Sequence, residues 1–162
     1  MIRILEGTVF IDNKELFLKK LKEFGTGKNL AIQAFDADKL AGKEHLTFAI
    51  EKALDSFKKG TNVANDLSKE IMLYAAGTRQ INRAVKIGVH GGWNNIALVA
   101  VGDMIDLPAF DITPGNVLQY SGSKDSALMH IFNITEKEIQ ASGAGKIPEL
   151  VRERVALVDV MK

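Results

Sequence analysis

The 162-residue chain contains no cysteine, which excludes disulfides, thiolate metal sites, iron–sulfur clusters and a cysteine nucleophile, and fits a reducing cytoplasm. Its three histidines, His45, His90 and His130, stand too far apart to form a local metal pair. Apolar runs of membrane-spanning length are missing, because glycine and asparagine break the uncharged stretches. Near the start, Glu6 arrives before a signal-length apolar core can form. The expectation is a cytoplasmic chain with no membrane contact, no metal and no cofactor. Nor is there a Gly-x-Ser-x-Gly, a His-Glu-x-x-His or a phosphate-binding Gly-x-x-x-x-Gly-Lys-[Ser/Thr]. Excess charge is missing too: 21 Lys and Arg against 20 Asp and Glu leave a net +1, so binding to a polyanion requires a local patch.

What is present is a composition able to build a core, 46% hydrophobic and 25% charged, with no repeat, low-complexity tract or splitting linker. A single domain over residues 1–162 is expected. Charge is unevenly placed. Residues 1–90 carry 15 Lys or Arg against 11 Asp or Glu, and residues 91–162 carry 6 against 9. Between Lys86 and Lys124 there is no Lys or Arg, but there are Asp103, Asp106 and Asp111. A basic surface therefore belongs to the first part.

Periodicity predicts an early strand through Ile2, Ile4 and Thr8 to Phe10, then a helix capped by Asp12 or Asn13 and ended by Gly25 and Gly27. Leu30 to Phe35 reads as a buried strand. Lys43 to Phe57 is the most periodic helix, with Leu46, Ala49, Ile50, Ala53, Leu54 and Phe57 in one stripe. Leu67 to Ala76 is a helix stopped by Gly77, and Thr78 caps another from Arg79 to Ile87. Asn95 to Val101 is an apolar strand. Helices follow from Asp125, from the Thr135-Glu-Lys-Glu138 capping box and from Pro148, and Ala156 to Val160 alternates toward a final strand. The fold class is mixed α/β: a small mixed central sheet of early, middle and final strands with helices packed against it.

Three constellations bear on chemistry. His45 is a candidate base, but Glu44 beside it on a helix points elsewhere and cannot readily orient it. The run His90-Gly-Gly-Trp-Asn-Asn95 precedes a strand, the reverse of a phosphate loop, and reads as a connector. The third is basic. Arg79, Arg83 and Lys86 fall at i, i+4 and i+7, and His45, Lys52 and Lys59 form a similar stripe on the long helix. Two such stripes on adjacent helices would make an anion-binding groove in which Gln80 and Asn82 add base-reading donors and acceptors; the bland alternative is a solvated face.

Two blocks carry a resemblance: Ala31-Ile-Gln-Ala-Phe-Asp-Ala-Asp-Lys-Leu-Ala-Gly-Lys-Glu-His-Leu46, and Glu70-Ile-Met-Leu-Tyr-Ala-Ala-Gly-Thr-Arg-Gln-Ile-Asn-Arg-Ala84. With these at this separation, the chain resembles the small kinase-binding subunits of the KEOPS complex, the archaeal relatives of the human PRPK-binding protein, TPRKB. The resemblance implies a non-catalytic accessory subunit in the synthesis of N6-threonylcarbamoyladenosine beside the tRNA anticodon. It also implies two partners: the small atypical kinase, with the threonylcarbamoyl transferase subunit beyond it, and tRNA, captured through its 3′ CCA end. It places Lys43 and His45 at the entry of the long helix and Arg79, Gln80 and Arg83 at the next, residues the charge pattern also selects. Phe35 and Tyr74 could stack on bases but sit in apolar runs that assign them to the core. Leu128, Ile131 and Phe132 are candidates for a kinase-binding patch; the preferred alternative is the inward side of their own helix. Two rival functions stay open, a kinase scaffold without RNA contact and a small-molecule enzyme using His45.

Overall fold

The computed structural model describes residues 1–143 and 146–161. The fold is mixed α/β and divides into two compact units, Met1–Ala37 with Gly88–Val117, and Asp38–Ile87 with Leu118–Lys162.

The first unit holds the sheet. Strands β1 (Ile2–Ile11), β2 (Ala31–Asp36), β3 (Gly92–Val101) and the two-residue β4 (Thr113–Pro114) lie in the order β2-β3-β1-β4. All pairings are antiparallel, where mixed pairing was expected, and β1 aligns with β3 from Ile2 opposite Val101 to Ile11 opposite Gly92. Period-two alternation buries Val9 and Ile11 with Ala34, Ile96, Leu98 and Ile112, and turns Phe10 outward. Helix α1 (Lys14–Lys28) adds Leu21 to that core and Phe17 at its margin. The Asn13 side chain caps it by accepting from the Leu16 N–H. The helix runs through Gly25 and Gly27, correcting the expected stop, and ends at left-handed Asn29. Gly25 serves close approach instead: a Cβ there would lie 2.8 Å from the Leu30 carbonyl oxygen. Gly7 is constrained harder, since its Cβ would fall 2.0 Å from the Thr113 carbonyl oxygen and push β4 off the edge.

The second unit is helical. Helix α2 (Lys43–Lys59) buries Leu46, Ala49, Ile50 and Ala53 and packs on α3 (Leu67–Ala76), which ends at left-handed Gly77. The predicted Arg79–Ile87 helix shrinks to α4 (Ile81–Ala84) and a 3-10 turn, Val85–Ile87. The Thr78 hydroxyl accepts from the Gln80 N–H, a local turn that competes with helix initiation. Ala84 and Ile87, three apart, are the residues buried, matching the tighter turn. Helices α5 (Asp125–Phe132), α6 (Glu136–Ser142) and α7 (Ile147–Met161) follow, and α6 carries the predicted capping box of Thr135 and Glu138. Leu128, Phe132, Leu150 and Val151 form a core with Ala41 and Ile147.

The expected strand at Ala156–Val160 is the last part of α7. A strand would bury Val158 and Val160 together, whereas Val158 is 1% exposed and Val160 is 78%. The buried set Leu150, Val151, Val155 and Val158 has helical spacing. Among the described residues, no helix is long and apolar enough to cross a membrane.

Candidate functional site

The long helix does not supply the expected cationic wall. His45 is 1% exposed. Its Nδ1 accepts from the Ala41 N–H at 2.9 Å, its Nε2 lies 2.8 Å from the Ala75 carbonyl oxygen, and its ring packs edge-on to Phe132. This is a core histidine whose backbone partners select the Nε2–H tautomer, since Nδ1 already accepts. Burial pushes its pKa from 6.5 down to about 4, because the desolvated imidazolium is disfavoured. The pair that an enzyme reading requires, His45 with a converging carboxylate, is not assembled: Glu44 bonds Arg152 at 2.7 Å. Lys52 is bound to Asp159 at 2.7 Å, and Lys59 pairs with Asp55 at 3.0 Å. Lys43 is exposed at the start of α2.

The buried histidine makes stability pH-dependent. The folded pKa lies below the unfolded value, so between pH 6.5 and about 4 the unfolded chain binds the extra proton. Stability from this site is complete above pH 6.5 and is lost as pH falls toward 4, a change of about 3 kcal/mol at most. Urea unfolding at pH 7 and pH 4.5 is expected to show this slope, and His45→Gln is expected to flatten it while lowering stability at pH 7.

The positive side chains that converge do so elsewhere. An open groove of about 490 Å³ is lined by Arg83 and Lys86, by His130 to Asn133 at the end of α5, by Ala76, Gly77 and Thr78, and by Arg154, Leu157, Val160 and Met161 of α7. Among the described residues neither Arg83 nor Lys86 is paired with a carboxylate, and both are exposed. Arg154 is committed: it donates to the Phe132 and Asn133 carbonyls and to Glu138 at 2.7 Å, a bond that holds the Glu138 carboxyl below its ordinary pKa. The free charge therefore comes from Arg83 and Lys86, with His130 exposed beside them. Opposite in chemistry is the α7 ridge, where Leu157 and Met161 are about half exposed and Val160 more so.

Of the expected RNA-contacting residues, Arg83 and Lys86 line this groove, while Arg79, Gln80 and Asn82 are exposed in the same segment but do not line it. Leu128 is fully buried and cannot form a partner patch. Phe132 is nearly buried, and Ile131 is half-buried; both line the groove. Phe35 and Tyr74 are core. Sequence reasoning missed His130, Arg154 and the ridge. Their signal was the i, i+3, i+4 recurrence of Leu157, Val160 and Met161, hidden by reading a strand there.

A family model described as kinase binding protein CGI-121 matches residues 11–159. The regulatory protein Cgi121 of Methanocaldococcus jannaschii is 30% identical over 138 residues, covering 82% of this chain and 86% of that protein.

Proposed function

The chain belongs to the kinase binding protein CGI-121 family, and from that premise we propose that it is a non-catalytic, regulatory subunit of a KEOPS-type complex that also recruits tRNA by its 3′ CCA end. Its role is to tether substrate to catalyst for N6-threonylcarbamoyladenosine formation beside the anticodon. Holding the kinase, and through it the transferase subunit, raises the local concentration of the bound tRNA without any chemistry on this chain.

The observation that supports RNA capture is the groove with two kinds of wall. Arg83 and Lys86 offer unneutralised cations for phosphates, and the α7 ridge offers apolar surface for unstacked bases. Single-stranded ends are held by this combination, whereas the bases inside a duplex are paired and stacked and offer no free face. Fluorescence anisotropy with intact tRNA and with tRNA trimmed of its CCA end tests the reading. Affinity is expected to fall on trimming and to decrease with salt. Equal affinity for both removes the end-reading. No binding to either leaves a kinase scaffold, which the neutralisation of Lys52 and Lys59 by Asp159 and Asp55 favours as the second reading.

A further inference from the structure

The sheet unit carries a second surface that RNA capture does not use. Phe10 and Trp93 are cross-strand partners, 54% and 70% exposed, with their rings edge-to-face at 5.4 Å. Phe10 also borders a groove of about 320 Å³ lined by Leu16, Phe17 and Leu21 of α1, by Phe110, and by Asp12 and Asp111. One wall is a turn in which Phe110 and Asp111 both adopt left-handed backbone, φ 49° and 62°, while the Phe110 ring is anchored edge-on to Phe24 at 5.4 Å. Two successive non-glycine residues in that region cost free energy that a plain connector has no reason to carry.

The lining of this groove carries two carboxylates against one cation, whereas the helical groove is lined by Arg83, Lys86 and Arg154 with no carboxylate among the described residues. Residues 88–117 contain no Lys or Arg but three exposed aspartates, Asp103, Asp106 and Asp111. Lys20 is the single cation lining the groove, against Asp12 and Asp111, and among the described residues neither aspartate is paired with a base. A guanidinium is favoured, because its planar fork pairs with carboxylates while its face stacks on aromatic rings.

We propose that this face is the kinase-docking surface and that its occupant is an arginine-bearing segment of the kinase, the guanidinium held between the Asp12 and Asp111 carboxylates and the exposed Phe10 and Trp93 rings. The assignment rests on the kinase-binding reading and adds where the partner sits and which chemistry holds it. Tryptophan and arginine are among the residue types that dominate association energies.

Trp93 is the sole tryptophan, so 5-fluorotryptophan labelling gives one fluorine resonance that reports this patch in the intact protein. Titration with the purified small atypical kinase is expected to shift or broaden it, and titration with tRNA to leave it in place. Asp12→Lys with Asp111→Lys is expected to weaken kinase binding about tenfold or more without changing tRNA affinity, and the paired Asn variants to fall between. Several results overturn the proposal. Kinase binding by sedimentation with an unmoved resonance puts the kinase elsewhere and leaves the family reading intact. A resonance moved by tRNA makes Trp93 a base-stacking residue, and one moved by protein concentration alone makes the patch a self-contact. Unchanged affinity in the Lys variants removes the arginine. Absence of any kinase binding overturns this proposal and the kinase reading together.

Discussion

Replacing Arg83 and Lys86 together with glutamate is expected to lower tRNA affinity about a hundredfold, and to reduce the slope of log K against log salt by about two, one for each phosphate left without its cation. The prediction follows from how these two side chains differ from the other candidates. Both are exposed on a groove wall and neither is engaged by a carboxylate among the described residues. Reversing their charge therefore removes two phosphate partners and places two anions where phosphate would lie. Lys59 provides the control. It already pairs with Asp55, a bond that raises its pKa, and charge reversal there is expected to change affinity by no more than about threefold. Kinase association should be the same in all three proteins, because the substitutions lie outside the proposed docking face. Anisotropy across a salt series measures both affinity and slope. Wild-type affinity in the Arg83/Lys86 double variant would remove the groove from the account.

A large stability effect is expected at Glu70, which lies outside the groove. This carboxylate is fully buried, and its oxygens accept from the Val63 and Ala64 N–H groups and from the Ser56 hydroxyl. It thereby ties the loop between α2 and α3 to both helices. Glu70→Ala leaves those donors without their acceptor in a site closed to water, a loss of about 3 kcal/mol. For a chain of this size that corresponds to roughly 6–12 °C in melting temperature. Glu70→Gln keeps one carbonyl acceptor but presents an NH2 to donors, so about half of the loss should remain. Thermal unfolding followed by circular dichroism separates these cases. A change below about 1 kcal/mol in the Ala variant would show that the loop holds without its buried carboxylate. Because Glu70 does not line the groove, tRNA affinity measured well below the melting transition should be unaffected.

Much of the fold was legible because its signals are local. The Lys43–Phe57 stripe, the Asn13 cap, the Thr135–Glu138 box and the Gly77 stop each depend on a few residues and a known geometry. Three errors share a cause, which is that tertiary context overrode a local cue. Gly25 stands inside a helix because its missing side chain admits the Leu30 carbonyl, an approach with no trace in the adjacent sequence. Ala156–Val160 alternates like a strand, yet Val158 is buried with Leu150, Val151 and Val155 while Val160 is exposed, a spacing of three and four that a strand does not give and a helix does. Arg79, Arg83 and Lys86 were placed on one regular helix that the Thr78 turn delays.

The site was legible only in part for a related reason. Charge spacing identifies which cations could share a face but not which are already neutralised. Lys52 was indistinguishable from Arg83 and Lys86 until Asp159 was placed beside it, whereas the i, i+4 spacing of Asp55 and Lys59 already offered a local pair. His45 looked like a surface cation because it falls in register with those lysines. Its neighbours on α2, Leu46 and Ala49, show that the buried stripe is broad enough to include it. The pairing of Phe10 with Trp93 was hidden because the His90–Asn95 run reads as a connector, whereas Gly92 to Asn95 begin β3, and the antiparallel register that joins the two residues is long-range.

The most direct test of the account is the location of the RNA terminus. A tRNA carrying a photoreactive adenosine at its 3′ end, crosslinked to the protein and mapped by mass spectrometry, is predicted to attach within residues 76–86, 130–133 or 154–161. Adducts concentrated on residues 10–21 or at Trp93, or adducts that persist when the label is moved from the 3′ end to the anticodon loop, would contradict it.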